Sequence, residues 1–233
     1  MNSKAYDKIV TEAWVADKPS EVFKSWLRKG ILSEVLPEIH GMVGIEQSDK
    51  HHQEGDVFNH TMMAIDVAAM VGAPLNVKFA VLFHDIGKTL TPKEEWPSHH
   101  NHCGERAVKL INTIGKRIRL PYHSHRLCIE VVRLHMHYHL VYKMSANTIA
   151  KIFRMLELNK CFDLFNAFVT AGICDELGRS PYIFNDKSGR WKELALKYVA
   201  CKPIIMVKNP CQAVKNIMVQ QQIEKFKEIS GCK

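Results

Sequence analysis

An all-α fold is the class this sequence predicts, and three observations carry the prediction. Apolar residues recur with a period near 3.6 almost throughout, alternating strand patterns are nearly absent, and caps and breakers fall between the periodic stretches. With 233 residues, 46% of them hydrophobic, the chain is long enough to bury a sizeable core.

The elements follow in order. Tyr6, Ile9, Val10, Ala13 and Trp14 form one helical stripe. Pro19 opens a second helix carrying Val22, Phe23, Trp26 and Leu27, and Gly30 closes it. Asn59 is the expected N-cap of a helix through about Val71, and Asn76 that of a helix ending at Gly87. Further helices are expected at about 102–118, 124–140, 145–157, 161–177, 190–200 and 210–229. Ser124 and Ser145 read as caps, Pro121 and Pro181 as breaks, and only Pro203–Val207 has extended character. The expected organisation is a helical domain over 1–186, with leading helices in 1–50, and a helical extension over 187–233 packed on it.

Composition excludes several classes. No stretch approaches the roughly 18 apolar residues that a membrane helix needs, so no membrane partner is expected. The opening MNSKAYDKIVTEAW has no apolar signal region. The cysteines are odd in number (Cys103, Cys128, Cys161, Cys174, Cys201, Cys211 and Cys232) and form no CxxC pair. They read as reduced thiols of a cytoplasmic protein. The net charge of +8 is uneven: residues 187–233 carry ten Lys/Arg against three Asp/Glu. Such a basic tail attracts RNA or anionic nucleotides at low salt, and its alternative is a solvated Lys-rich surface.

Histidine placement points to chemistry. All thirteen except His40 lie between His51 and His139. His60 shares a helical face with Ala64, Val67, Ala68 and Val71, and His84 lies over Val77, Ala80 and Val81. His135 continues the stripe of Leu127, Cys128 and Val131, and Asp175 that of Leu164, Phe168 and Ala171. An ionised carboxylate on an apolar face is costly unless paired or bound to a cation, and Asp85 beside His84 poses the same problem. Asp175 as a loop cap and His60 and His135 as satisfied core histidines is the alternative. Four helices each delivering a polar group inward favour one shared metal ion.

The order His60, His84-Asp85, Asp175 resembles the H…HD…D pattern of HD-domain phosphohydrolases, in which these positions hold a divalent metal inside a helical bundle. Over nearly the whole chain, LPEIHGMVGI, HHQEGDVFNHT, FAVLFHDIGKTLTPKEEWPSHHNH, RLHMHYH, CDELGR and SGRW resemble the C-terminal half of multifunctional bacterial CCA-adding enzymes. The resemblance implies an HD bundle that hydrolyses 2′,3′-cyclic nucleotides, 2′-nucleotides and other phosphomonoesters. It also implies a basic C-terminal region that faces tRNA. No nucleotidyltransferase head precedes the motif, so CCA addition is not expected. The segment CGERAVKL sits one residue late, which leaves open whether His99, His100 or His102 faces inward.

The expected ligands are therefore His60, His84, Asp85 and Asp175, holding one or two ions of Mg, Mn, Fe, Co, Ni or Zn. His102, His135, His100 and His139 are candidates for a second ion, or for substrate contact and general acid work. Lys88 and Arg179 are candidate phosphate ligands, with Arg106 a weaker one, and Glu54 and Asp56 are candidate supports for the ligands. The expected substrate is a nucleotide or an RNA end. A phosphohydrolase of a signalling nucleotide or a dNTP, and a non-catalytic RNA-binding module, are the competing functions.

Overall fold

The protein is described by a computed structural model, over residues 4–48, 52–97, 103–179, 186–201 and 212–232. It is helical, with no strand among these residues. None of the described helices is long and apolar enough to cross a membrane.

Two compact units divide the chain: residues 1–135 with 170–184, and residues 136–169 with 185–233. The first begins with α1 (Lys4–Lys8), which runs on as a π-turn over Ile9–Ala13, followed by α2 (Pro19–Arg28), α3 (Ile31–Val35) and α4 (Pro37–His40). Next come α5 (Val57–Met70) and α6 (Leu75–Phe83), a 3-10 turn over Ile86–Leu90, and a second short one over Lys93–Glu95. α7 (Cys103–Ile118), most of α8 (Tyr122–His139) and the end of α10 (Asp163–Leu177) complete it. Tyr6 stacks on Phe79 with ring centroids 5.6 Å apart, and Trp14 meets Phe79 edge-on at 5.6 Å. Asp66 of α5 caps α2 from outside, accepting from Ser20 N–H at 2.9 Å and Ser20 Oγ at 2.6 Å. That carboxylate satisfies free N–H groups at the positive end of a helix, and so fixes α5 against α2.

Several expected boundaries move for identifiable reasons. Asp56, not Asn59, caps α5: its Oδ1 accepts from Asn59 N–H at 2.8 Å, and Asn59 lies inside the first turn. Pro74, not Asn76, precedes α6, because proline at that point fixes the extended entry. α6 ends at Phe83 rather than Gly87, since Asp85 leaves helical geometry (φ −102, ψ 8) and a 3-10 turn takes over. Ser124 lies within α8, whereas Ser145 does cap α9 (Ala146–Met155), its side chain accepting from Thr148 N–H. Pro181 and Pro203–Val207 lie outside the described residues.

The second unit gathers the end of α8, α9, the start of α10, α11 (Lys187–Ala200) and α12 (Gln212–Ser230). Its centre is Phe153, fully buried, with Phe165, Trp191, Tyr198 and Phe226 around it at centroid distances of 5.2–6.1 Å. Trp191 Nε1 donates to the Tyr138 carbonyl at 3.2 Å, and Gln222 Nε2 to that of Tyr198 at 3.0 Å. The basic stretch from Lys187 is thus built on an aromatic core shared with residues 136–169.

Candidate metal centre

α5 and α6 lie side by side, joined by a short loop, so His60 in α5 and His84 just past α6 reach one interior point. α10 supplies Asp175 to the same point, and a glycine permits its approach. A Cβ at Gly178 would lie 2.7 Å from both the N and Cα of Ala64 in α5. Any side chain there would push the end of α10 away from α5. On α7, Gly104 makes a comparable approach, a Cβ there falling 2.7 Å from the Val132 carbonyl of α8.

Three ligand atoms converge. His60 Nε2 lies 3.1 Å from His84 Nε2 and 3.1 Å from Asp175 Oδ1, and His84 Nε2 lies 3.8 Å from the same oxygen. All three residues are buried. Hydrogen bonding fixes one tautomer: His84 Nδ1 sits 2.7 Å from the Val81 carbonyl, which can only accept. Neutral His84 therefore presents a bare Nε2 lone pair to His60. On His60 the other nitrogen, Nδ1, lies 2.9 Å from Glu54 Oε1.

Asp85 divides its oxygens. Oδ2 accepts from Lys88 Nζ at 2.7 Å and lies 3.3 Å from His84 Nε2, while Oδ1 is 3.2 Å from His135 Nε2. Neither Asp85 Oδ1 nor His135 Nε2 has an aligned hydrogen-bond partner, although both are buried. His135 Nδ1 faces the Val131 carbonyl at 3.3 Å, so its Nε2 too is the bare nitrogen of the neutral ring.

The electrostatics fit a cation. Three buried carboxylates (Glu54, Asp85 and Asp175) face two cationic side chains, Lys88 and Arg179. Burial disfavours a proton on His60, yet Asp175 and Glu54 outweigh it and raise its pKa above the ordinary imidazole value. A positive charge is wanted between those nitrogens and oxygens, and a proton on His60 is the smallest that meets the demand. Burial would likewise raise the Asp85 carboxyl, but the Lys88 ammonium holds it well below the usual carboxylate range. A buried set of two imidazole nitrogens and carboxylate oxygens matches the donors that divalent transition metals and magnesium accept.

The remaining expected residues are placed as follows. Lys88 is buried and bridges Asp85 to Gln47 Oε1 at 2.6 Å. Arg179 grips Asp175 Oδ1 through Nε at 3.2 Å and a terminal nitrogen at 3.0 Å. Both cations thus hold carboxylates of the centre. Asp56 is structural: besides capping α5, it accepts from Gly44 N–H at 2.6 Å. His139 is half-buried and belongs to the other unit, and His99, His100 and His102 lie outside the described residues. Two residues escape sequence reasoning. His52 places Nδ1 2.8 Å from Glu54 Oε1 and stacks edge-on against His60 at 4.8 Å. Gln47 has no signal in the sequence, whereas His52 stands two residues before Glu54 in the histidine-rich stretch.

Comparison with known proteins agrees with this geometry. Residues 57–158 match the HD domain family. The chain is 37% identical over 161 residues to the multifunctional CCA protein of Halorhodospira halophila, covering 69% of this chain and 39% of that protein. It is 30% identical over 215 residues to that of Nitrosococcus oceani, covering 90% and 52%. Against that of Nitrosospira multiformis it is 36% identical over 164 residues, covering 70% and 40%. The chain therefore spans about two fifths to a half of the length of the curated relatives it matches, in their C-terminal part. It carries an HD domain, and HD domains form a superfamily of metal-dependent phosphohydrolases.

Proposed function

We propose that this HD-domain protein hydrolyses nucleotide phosphoesters: 2′,3′-cyclic nucleotides, 2′-nucleotides and related phosphomonoesters, including those at RNA ends. The observation that carries the reading is the convergence of His60 Nε2, His84 Nε2 and Asp175 Oδ1 at 3.1–3.8 Å in a buried, carboxylate-rich centre. The naming of the relatives as multifunctional CCA proteins supports a nucleotide or RNA substrate.

His60, His84 and Asp175 would hold a divalent ion, with Asp85 beside them, its Oδ2 3.3 Å from His84 Nε2. When bound, such an ion lowers the pKa of water and polarises a phosphoryl oxygen. The protein's own groups do the rest. Glu54 holds His60 from behind, and the Val81 carbonyl holds His84, so both imidazoles keep their orientation. Arg179 holds Asp175 Oδ1 directed inward. Lys88, held by Asp85 and Gln47, would bring its positive charge to a phosphate oxygen bound at the centre. His135, carrying its Nδ1 proton toward Val131, presents Nε2 to the centre, where as imidazolium it protonates the departing ribose oxygen. The basic α11–α12 region offers a surface for tRNA or other RNA.

The test is hydrolysis of 2′,3′-cAMP, 2′-AMP, 3′-AMP, 5′-AMP and a dNTP with each of several divalent metals, beside Asp85→Ala. Turnover of the cyclic and 2′-substrates by wild type, lost in the variant, is expected. Preference for the dNTP, no turnover with any metal, or an equally active Asp85→Ala protein overturns the reading.

A further inference from the structure

The Ile86–Leu90 turn that follows Asp85 packs on α7, and an open cavity of about 720 Å3 lies beside it, lined by Leu90, Glu105, Arg106, Lys109, Leu110 and Thr113. The volume falls within the range of about 300–1,000 Å3 common to small-molecule sites. The helical period explains the lining. Ala107, Ile111, Ile114 and Ile118 turn into the core, which leaves 106, 109, 110 and 113 on an adjoining face one turn apart.

The charges in this cavity are unevenly engaged. Glu105 lies 3.3 Å from Arg133 of α8 and is drawn to that side. Among the described residues Arg106 donates to the Leu90 carbonyl, at 3.3 Å, and Lys109 has no carboxylate partner. Two exposed cations one turn apart thus flank an apolar wall of Leu110 and Leu90, the latter 41% exposed. Cations next to an apolar wall suit a nucleotide: guanidinium and ammonium pair with phosphate, and the apolar wall can cover the weakly hydrated face of a base.

We propose that this cavity is a nucleotide subsite that seats the unit neighbouring the scissile phosphoester of an oligonucleotide. Its phosphate lies on Arg106 and Lys109 and its base against Leu90 and Leu110. The proposal rests on the phosphohydrolase reading for its biological sense, but not for its test. The subsite favours short RNA over mononucleotides, because an oligonucleotide offers it a second unit.

Binding measured without chemistry decides it. A fluorescein-labelled tetranucleotide is titrated in EDTA by fluorescence anisotropy into wild type, Arg106→Ala/Lys109→Ala, Leu110→Ser, and an equal-charge control, Arg28→Ala/Lys29→Ala on α2. The cavity double variant is expected to bind about tenfold more weakly. Its salt slope should fall by about 0.7, because one phosphate of a single strand is no longer neutralised. Leu110→Ser is expected to weaken binding about threefold with the slope unchanged. Unchanged affinity in the double variant, or an equal loss in the α2 control, overturns the proposal. Because EDTA removes metal chemistry, a failure to hydrolyse any substrate leaves this result intact, and the reverse holds too. All the substituted side chains lie at the surface or half-buried, and circular dichroism confirms that each variant folds.

Discussion

The two units bury their centres in opposite ways. Around Phe153 the second unit closes five aromatic rings on one another, and its buried Trp191 N–H finds a backbone carbonyl. Around His60 the first unit buries Glu54, Asp85 and Asp175 with two cations and several imidazoles, leaving Asp85 Oδ1 and His135 Nε2 without aligned partners. The same helical periodicity makes both, since each group occupies an inward position of its helix. The aromatic centre is held by packing, with the Tyr198 hydroxyl buried and lacking an aligned hydrogen-bond partner, while the polar centre gathers several such atoms beside its carboxylates. Aromatic packing is therefore the expected source of stability in the one, and the polar atoms of the other the expected place of a ligand.

The largest expected effect breaks the polar centre. Asp175→Ala removes a converging oxygen and leaves the half-buried Arg179 without that carboxylate. Steady-state kinetics on the best substrate should fall by about a thousandfold, equivalent to several kcal/mol of lost transition-state stabilisation. Activity within a few-fold of wild type would mean that Asp175 only caps its helix. The corresponding change in the other unit is Trp191→Ala, which truncates a fully buried indole and should cost about 3–5 kcal/mol in urea unfolding. Its metal content per folded molecule should stay that of wild type. Loss of metal in parallel with stability would show the two units to be one energetic system.

A smaller effect sharpens the comparison within the polar centre itself. Glu54 touches His60 from the side away from Asp175, so Glu54→Gln keeps the shape but weakens the hold on the ring. Metal affinity, followed by competition with a chelating dye, should fall by about 10–100-fold. An unchanged affinity would remove Glu54 from the centre. The smallest effect is chemical. Burial raises the Cys174 thiol to about 12 and pushes Cys128 still higher, whereas Cys161 is exposed. Mass-spectrometric mapping at neutral pH should find Cys161 alkylated before Cys128 and Cys174, which are modified only on unfolding. Early alkylation of Cys174 would show the Asp175 end of α10 to be open.

The legible part of this architecture was periodic. Helix type and the inward placement of His60, His84 and Asp175 follow from 3.6-residue spacing, which the structure keeps. Boundaries followed local chemistry instead: Asn59 and Asp56 are both good caps, and only the reach to Gly44 N–H selects Asp56. Likewise, periodicity carries α6 on to Gly87, but Asp85 turns out of the helix to meet Lys88. Long-range partners left the least trace. Lys88 and Arg179 stand three and four residues from Asp85 and Asp175, a spacing that allows both pairs, whereas the meeting of Gln47 with Lys88, 41 residues on, depends on which loops meet in space. No spacing along the chain encodes that.

The central claim is that His60, His84 and Asp175 together hold a divalent ion, and bound metal measures it most directly. Wild type and His84→Ala, each folded by circular dichroism, are loaded with Mn, Fe, Co, Ni, Zn or Mg, dialysed, and analysed by inductively coupled plasma mass spectrometry. At least one ion per wild-type chain, with almost none in His84→Ala, is the predicted result. A wild-type chain that retains none of these metals, or a variant that retains as much as wild type, would contradict the account.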